Sequence, residues 1–172
     1  MNQIISIDET SIDTHIEHNY GWSKSGKRII ITKSNTRIRY TIITATGYDS
    51  ILHYKIIKGS CNGETFVTFI KELINKLSRA IEWNIIIDNA RIHHYCKFKK
   101  YIAKIDNTKI IYNIPYSPET NPIEKVFNDV KKYLKDRRIN NLNIIKEIIK
   151  SFSTIKKQNI NEYFNNSINF YN

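Results

Sequence analysis

Short runs of branched apolar residues alternate with longer segments of helical periodicity, and the two patterns divide the chain into elements. Ile4–Asp8 reads as a buried strand, while residues 9–36 are polar and irregular, with Gly21-Trp22 and Ser25-Gly26 as turn signals. Arg37–Thr46 and Ser50–Lys58 are β-branched runs joined across Gly47-Tyr48-Asp49-Ser50, which predicts a long hairpin. In Glu64–Arg79 the apolar residues Phe66, Phe69, Ile70, Leu73, Ile74 and Leu77 recur at helical spacing, with Ser60 or Asn62 as cap. Asn84–Asp88 predicts a fourth strand, Ile92–Lys104 a basic helix and Lys109–Tyr112 a fifth strand. Two further helices are predicted over Thr120–Arg138 and Leu142–Lys157. Asn159–Asn172 reads as a polar tail with a turn at Tyr163-Phe164, docked by Phe164, Phe170 and Tyr171.

The order βββαβαβαα mixes a hairpin with parallel crossovers. It predicts an α/β fold, a mixed five-stranded sheet with helices on its faces. At 172 residues the chain is expected to form one domain, 1–172, with a sizeable core. All five glycines lie at or before Gly63 and all three prolines between Pro115 and Pro122, which sets a turn-rich first part against a helical second part.

Composition adds a direction. The formal net charge is +11, from 27 basic and 16 acidic residues, so a polyanion is the expected partner. The two cysteines, Cys61 and Cys96, make no disulfide framework, and a reducing compartment is expected. The strand predicted at Ile4 leaves no room for a signal peptide after Met1, and no apolar run reaches the roughly 18 residues of a membrane span. The expected location is cytoplasmic and nucleoid-associated, or a nucleus or replication compartment in a non-bacterial host, with no membrane partner.

Against this basic background three acids stand out. Asp8 and Asp88 each follow a buried-looking run, at the strand end where ligands gather in open sheets. Glu124 opens a helix after a loop stiffened by Pro115, Pro118 and Pro122. Singly, each has an ordinary explanation: an Asp after a strand caps turns, and a Glu favours a helix start. Together, carboxylates from two neighbouring strands and one helix can hold magnesium beside a phosphodiester. On the last helix of this set, Ile123, Phe127, Val130 and Leu134 form a core stripe. Glu124, Asn128, Lys131 and Lys135 form a second stripe, on which Glu124 could face a metal while the lysines run along a phosphate backbone, and Lys125 joins the DNA-binding candidates.

Asp88-Asn89-Ala90-Arg91-Ile92-His93-His94 is a second dense cluster. Asn89 could orient Asp88, and His93 or His94 could touch a phosphate or relay a proton; Asn121 joins them beside the acids. A zinc site from His93, His94 and Cys96 lacks a matching second half. Ser117 has no base at a useful spacing, and His15 and His18 read as surface residues.

Ile7-Asp8-Glu9-Thr10, Asp88–His94 and Pro115-Tyr116-Ser117-Pro118-Glu119-Thr120-Asn121-Pro122-Ile123-Glu124 resemble the DDE transposases of the mariner superfamily. The resemblance is closest to its bacterial insertion-sequence branch, often called DDE superfamily endonucleases, and covers nearly the whole chain. It maps the family triad onto Asp8, Asp88 and Glu124, with 35 residues between the last two. It implies a ribonuclease H-like fold and two divalent ions, Mg²⁺ or Mn²⁺, with Asp8 bridging and Asp88 and Glu124 each completing one shell. The implied activity is cleavage of double-stranded DNA at transposon ends and transfer of the 3′ end to target DNA, by a homodimer. Two departures stand out. The amino-terminal helix-turn-helix region of such enzymes has no counterpart before Asp8, so a separate helix-turn-helix subunit is an expected partner. Phe127 also occupies a position where many relatives carry Trp. The competing readings are a catalytically idle or regulatory DNA-binding remnant and a stand-alone nuclease on the same fold.

Overall fold

In a computed structural model of the protein, residues 3–14, 23–28, 37–114, 117, 120–137 and 142–168 are described. Five strands, β1 (Ile4–Asp13), β2 (Arg39–Gly47), β3 (Ile51–Lys58), β4 (Trp83–Ile87) and β5 (Thr108–Tyr112), form one sheet in the order β3-β2-β1-β4-β5. β1, β2 and β3 pair antiparallel, and β4 and β5 run parallel to β1. The helices are α1 (Gly63–Ile74), α2 (Cys96–Ile102), α3 (Ile123–Lys135), α4 (Ile144–Thr154) and α5 (Lys157–Ile168).

Alternation along the strands sorts side chains onto two cores. Ile5, Ile7, Ile85 and Ile87 face α1 and α2, where they meet Phe66, Phe69, Ile70, Leu73 and Phe98. Ile12, Tyr40 and Ile42 face the other way, onto Ile123, Val126, Phe127, Val130 and Leu134 of α3 and Ile144, Ile148 and Phe152 of α4. The stripe expected on α3 is thus its buried face, and Phe127 points into the core at 1% exposure. Asn62 caps α1 by accepting from the Thr65 N–H at 2.9 Å. Gly63 follows because the Tyr95 ring packs there: a Cβ at Gly63 would lie 2.6 Å from Tyr95 Cγ.

Three elements differ from the sequence expectation. β1 does not stop at Asp8 but continues to Asp13, because Glu9–Asp13 keep antiparallel partners in Ile43–Arg39. Its polar residues disguise the strand, since Thr10 and Ile12 are buried and Ser11 is exposed. The helix expected over 92–104 is split into a 3₁₀ turn, Arg91–His94, and α2, with Tyr95 extended between them. Residues 159–168 are no tail: α5 buries Ile160, Phe164 and Ser167 at i, i+4 and i+7 and leaves Asn165 and Asn166 exposed. It is held by Asn161 Nδ2 donating to the Tyr48 carbonyl at 2.8 Å and by Tyr163 Oη donating to Asp129 at 2.6 Å. Phe170 and Tyr171, His15 and His18, Gly21-Trp22, and Pro115, Tyr116, Pro118 and Glu119 on either side of Ser117 lie outside the described residues. None of the described helices is long and apolar enough to cross a membrane.

Candidate active site

The parallel pairing of β1 and β4 ends on the rung Ile7–Ile87. Asp8 and Asp88 are the next residues on each chain, so the two carboxylates are delivered together where β4 stops. Asp8 therefore sits in the middle of β1, yet at the end of the parallel ladder. Because Asp8 is an even position, its side chain faces α3, and there it meets the loop that opens that helix. Asn121 Nδ2 donates to Asp8 Oδ2 at 2.9 Å, and Asn121 Oδ1 accepts from Ser6 Oγ at 2.6 Å. Glu124, in the first turn of α3 and half-buried, is delivered to the same edge.

Asp8 is 8% exposed, and its described hydrogen bonds come from neutral groups, the Asn121 amide and its neighbour's N–H, Glu9 N to Oδ1 at 2.7 Å. Burial drives its pKa up to about 7; the Glu9 N–H opposes this, and the negative charges of Glu9, Asp88 and Glu124 add to it. Across the antiparallel pair from Asp8 and Ser6 lie Thr44 and Thr46, fully buried hydroxyls with no partner among the described residues. The floor under the head of α3 is therefore polar as well as closed.

Asp88 behaves differently. Its carboxyl is held below the usual carboxylate range chiefly by the hydrogen bond from His93, with burial opposing and the Ala90 N–H assisting. His93 Nδ1 lies 2.6 Å from Asp88 Oδ1, and its Nε2 lies 3.1 Å from Glu9 Oε1. Burial alone would pull the imidazolium down, but hydrogen bonds to Asp88 and Glu9 outweigh it and carry His93 up to about 10. With no exposed side-chain surface, His93 cannot touch a phosphate. It is enclosed between two carboxylates.

The remaining candidates are distributed around this edge. Asn89 engages His94 rather than Asp88, with Oδ1 2.5 Å from His94 Nε2, and the His94 ring stacks on Tyr112. His93 points inward and His94 outward, so the two do not form a zinc pair. Asn128, Lys131 and Lys135 are exposed along α3 on the Glu124 stripe. Lys125 lies apart from them, its Nζ 5.9 Å from the Tyr163 ring centroid of α5. Sequence reasoning missed Ser6 and Glu9. Alternation held the signal for Glu9: the residue after Asp8 must project onto the opposite face, where a carboxylate needs a cation.

A family model described as DDE superfamily endonuclease matches residues 3–146. The chain belongs to this family. As a DDE superfamily endonuclease it also shares its fold with mariner transposase structures. A pre-cleavage Mos1 transpososome superposes with a TM-score of 0.80 at 14% identity, covering 96% of this chain and 53% of that one. The Mos1 mariner paired-end complex with Mn gives 0.80 at 13% identity, covering 99% and 54%. The isolated Mos1 catalytic domain gives 0.73 at 13% identity, covering 96% and 77%. The chain thus spans about half the length of the transpososome chains and most of the catalytic domain. Its five-stranded order with helices on both faces is the ribonuclease H-like arrangement. Comparison with curated proteins gives no match.

The residues of this DDE endonuclease fit a divalent cation. A carboxylate that is buried, opposed by three like charges and bonded by neutral donors among the described residues gains most from a cation beside it. The donor set is all oxygen, which suits Mg²⁺ or Mn²⁺. Among the described residues no three His, Cys, Asp or Glu side chains are placed to hold a metal ion together. Asp88 is turned toward His93, and both of its described side-chain bonds fall on Oδ1.

Proposed function

We propose that the chain is the catalytic domain of a transposase, which cuts double-stranded DNA at the ends of a mobile element and joins the freed 3′ end to target DNA. The observation that carries this reading is Asp8: a buried carboxylate with no cationic partner among the described residues, at the sheet edge shared with Asp88 and Glu124, in a DDE endonuclease. Asp8, Asp88 and Glu124 would hold two divalent ions, Mg²⁺ or Mn²⁺. When bound, these ions would make water or a 3′ hydroxyl a better nucleophile and offset charge at the scissile phosphate. The protein's part is positioning, which dominates in-line displacement at phosphorus. Asn121 fixes the Asp8 carboxylate against the head of α3. The Ser6 hydroxyl in turn holds Asn121 by donating to its Oδ1 at 2.6 Å. Lys131 and Lys135, exposed beyond Glu124 along α3, would bind the backbone of the DNA that enters the site.

Two ends must be brought together for strand transfer, and the reading includes a homodimer for that purpose. Sequence recognition of the ends is assigned to a helix-turn-helix region outside residues 1–172, in keeping with the greater length of the mariner transposase chains. Incubation of purified chain with supercoiled DNA and Mg²⁺ or Mn²⁺ tests the proposal. Nicking is expected and should vanish in Asp8→Ala, Asp88→Ala and Glu124→Ala. Nicking undiminished in Asp88→Ala would remove this site from the reaction.

A further inference from the structure

We propose that Glu9 and His93 form a buried clamp that positions Asp88 for metal binding, which makes both of them positioning residues of the site. The inference rests on the reading of Asp88 as a metal ligand and adds a mechanism for holding it. Adjacent residues on a strand project to opposite faces, so β1 presents Asp8 toward α3 and Glu9 toward α1 and α2. On that second face Glu9 Oε1 lies 3.1 Å from His93 Nε2, while His93 Nδ1 lies 2.6 Å from Asp88 Oδ1 and 3.1 Å from the Asp88 carbonyl. The chain Glu9–His93–Asp88 therefore joins β1 to the segment that leaves β4, across the edge where Asp8 and Asp88 emerge.

The clamp is built to be rigid. The His93 side chain has no exposure, and its ring packs 4.4 Å from the Phe66 ring centroid of α1. The 3₁₀ turn Arg91–His94, closed by His93 N donating to the Ala90 carbonyl at 3.0 Å, carries the imidazole inward. Both ring nitrogens lie within hydrogen-bond distance of a carboxylate oxygen, so neither carboxylate can swing away without taking a partner from a buried ring nitrogen. The described bonds to the Asp88 side chain, from His93 and from Ala90 N at 3.0 Å, both fall on Oδ1. That division commits one oxygen to the protein and orients the carboxylate as a unit. One strand thereby supplies the first acid directly and sets the second through Glu9.

Two measurements on the 172-residue chain test this, one of them without metal. In Glu9→Ala, exchange of the Ala90 amide should quicken about fivefold or more as Asp88 Oδ1 loosens, with the Ile85 and Ile87 amides unchanged. Mn²⁺ titration followed by the EPR signal of free ion should show affinity weakened about tenfold or more. Glu9→Gln keeps an acceptor oxygen for His93 and should restore both readouts most of the way. An unchanged Ala90 amide in Glu9→Ala overturns the clamp. A loosened amide with wild-type Mn²⁺ affinity reduces it to a structural contact and overturns the positioning role, as does Glu9→Gln behaving like Glu9→Ala. If Asp88→Ala binds Mn²⁺ as tightly as wild type, the proposed function falls instead, and the exchange experiment still judges the clamp.

Discussion

Asn121 donates through its side-chain amide to Asp8 Oδ2 over 2.9 Å, linking the head of α3 to the middle of β1 across 113 residues of sequence. This bond sets the helix that carries Glu124 against the strand that carries the first acid. It is also shared, because the same amide accepts from Ser6 Oγ.

Asn121→Ala should accordingly do more than remove one hydrogen bond. It leaves the Ser6 hydroxyl and one oxygen of a buried carboxylate unsatisfied, which costs about 1–3 kcal/mol. Urea unfolding should show that destabilisation in metal-free protein, and DNA nicking should fall with it. Asn121→Ala at wild-type stability would mean that the bond does not hold α3 in place.

The raised pKa of Asp8 makes metal-free stability depend on pH in a definite direction. Its folded value of about 7 lies above the ordinary 3.8, so the folded state binds this proton more tightly than the unfolded chain does. The contribution of Asp8 is most favourable below about pH 4, declines as pH rises toward 7 and is least favourable above it, over a range of at most roughly 4 kcal/mol. Asp8→Asn should therefore raise the thermal midpoint of metal-free protein at about pH 8, and the gain over wild type should shrink on acidification. Mg²⁺ or Mn²⁺ should raise the wild-type midpoint and leave Asp8→Asn unmoved. An Asp8→Asn protein destabilised at that pH would contradict the assignment of Asp8 as an unpaired buried acid.

The exposed lysines of α3 make a separate prediction about DNA. Lys131→Ala and Lys135→Ala should each weaken binding and lower the slope of log affinity against log salt by about one unit for each phosphate no longer neutralised. Lys125, which lies against Tyr163, should change the slope less. Unchanged slopes for both exposed lysines would place the DNA elsewhere on the surface.

Helix α5 is predicted to be part of the folded domain. Phe164, 2% exposed and edge-on to Tyr48 at 6.0 Å, ties it to the turn between β2 and β3. Phe164→Ala should cost about 3–5 kcal/mol in urea unfolding. A cost near zero would return the segment to the status of a tail.

Much of the fold was legible because apolar runs report burial directly. Ile4–Ile7, Ile85–Ile87 and the α3 stripe carry their periodicity in the sequence, and they place Asp8, Asp88 and Glu124. Elements stabilised mainly by partners were harder to see. Glu9–Asp13 is a strand because β2 offers it a ladder, and α5, rich in asparagine, is a helix because it buries Ile160 and Phe164. The clamp was least visible: the sequence shows two adjacent histidines, and only folding decides which one is buried. His93 turns inward because its 3₁₀ turn closes over Phe66, while His94 stays outside on Tyr112.

Anomalous scattering from crystals of the full chain soaked with Mn²⁺ decides whether the three acids form one metal centre. Manganese should be bound by carboxylate oxygens of Asp8, Asp88 and Glu124, with His93 still bridging Glu9 and Asp88 behind it. Manganese that leaves Asp8 untouched, or that settles away from the edge shared by β1, β4 and α3, would refute the proposed site.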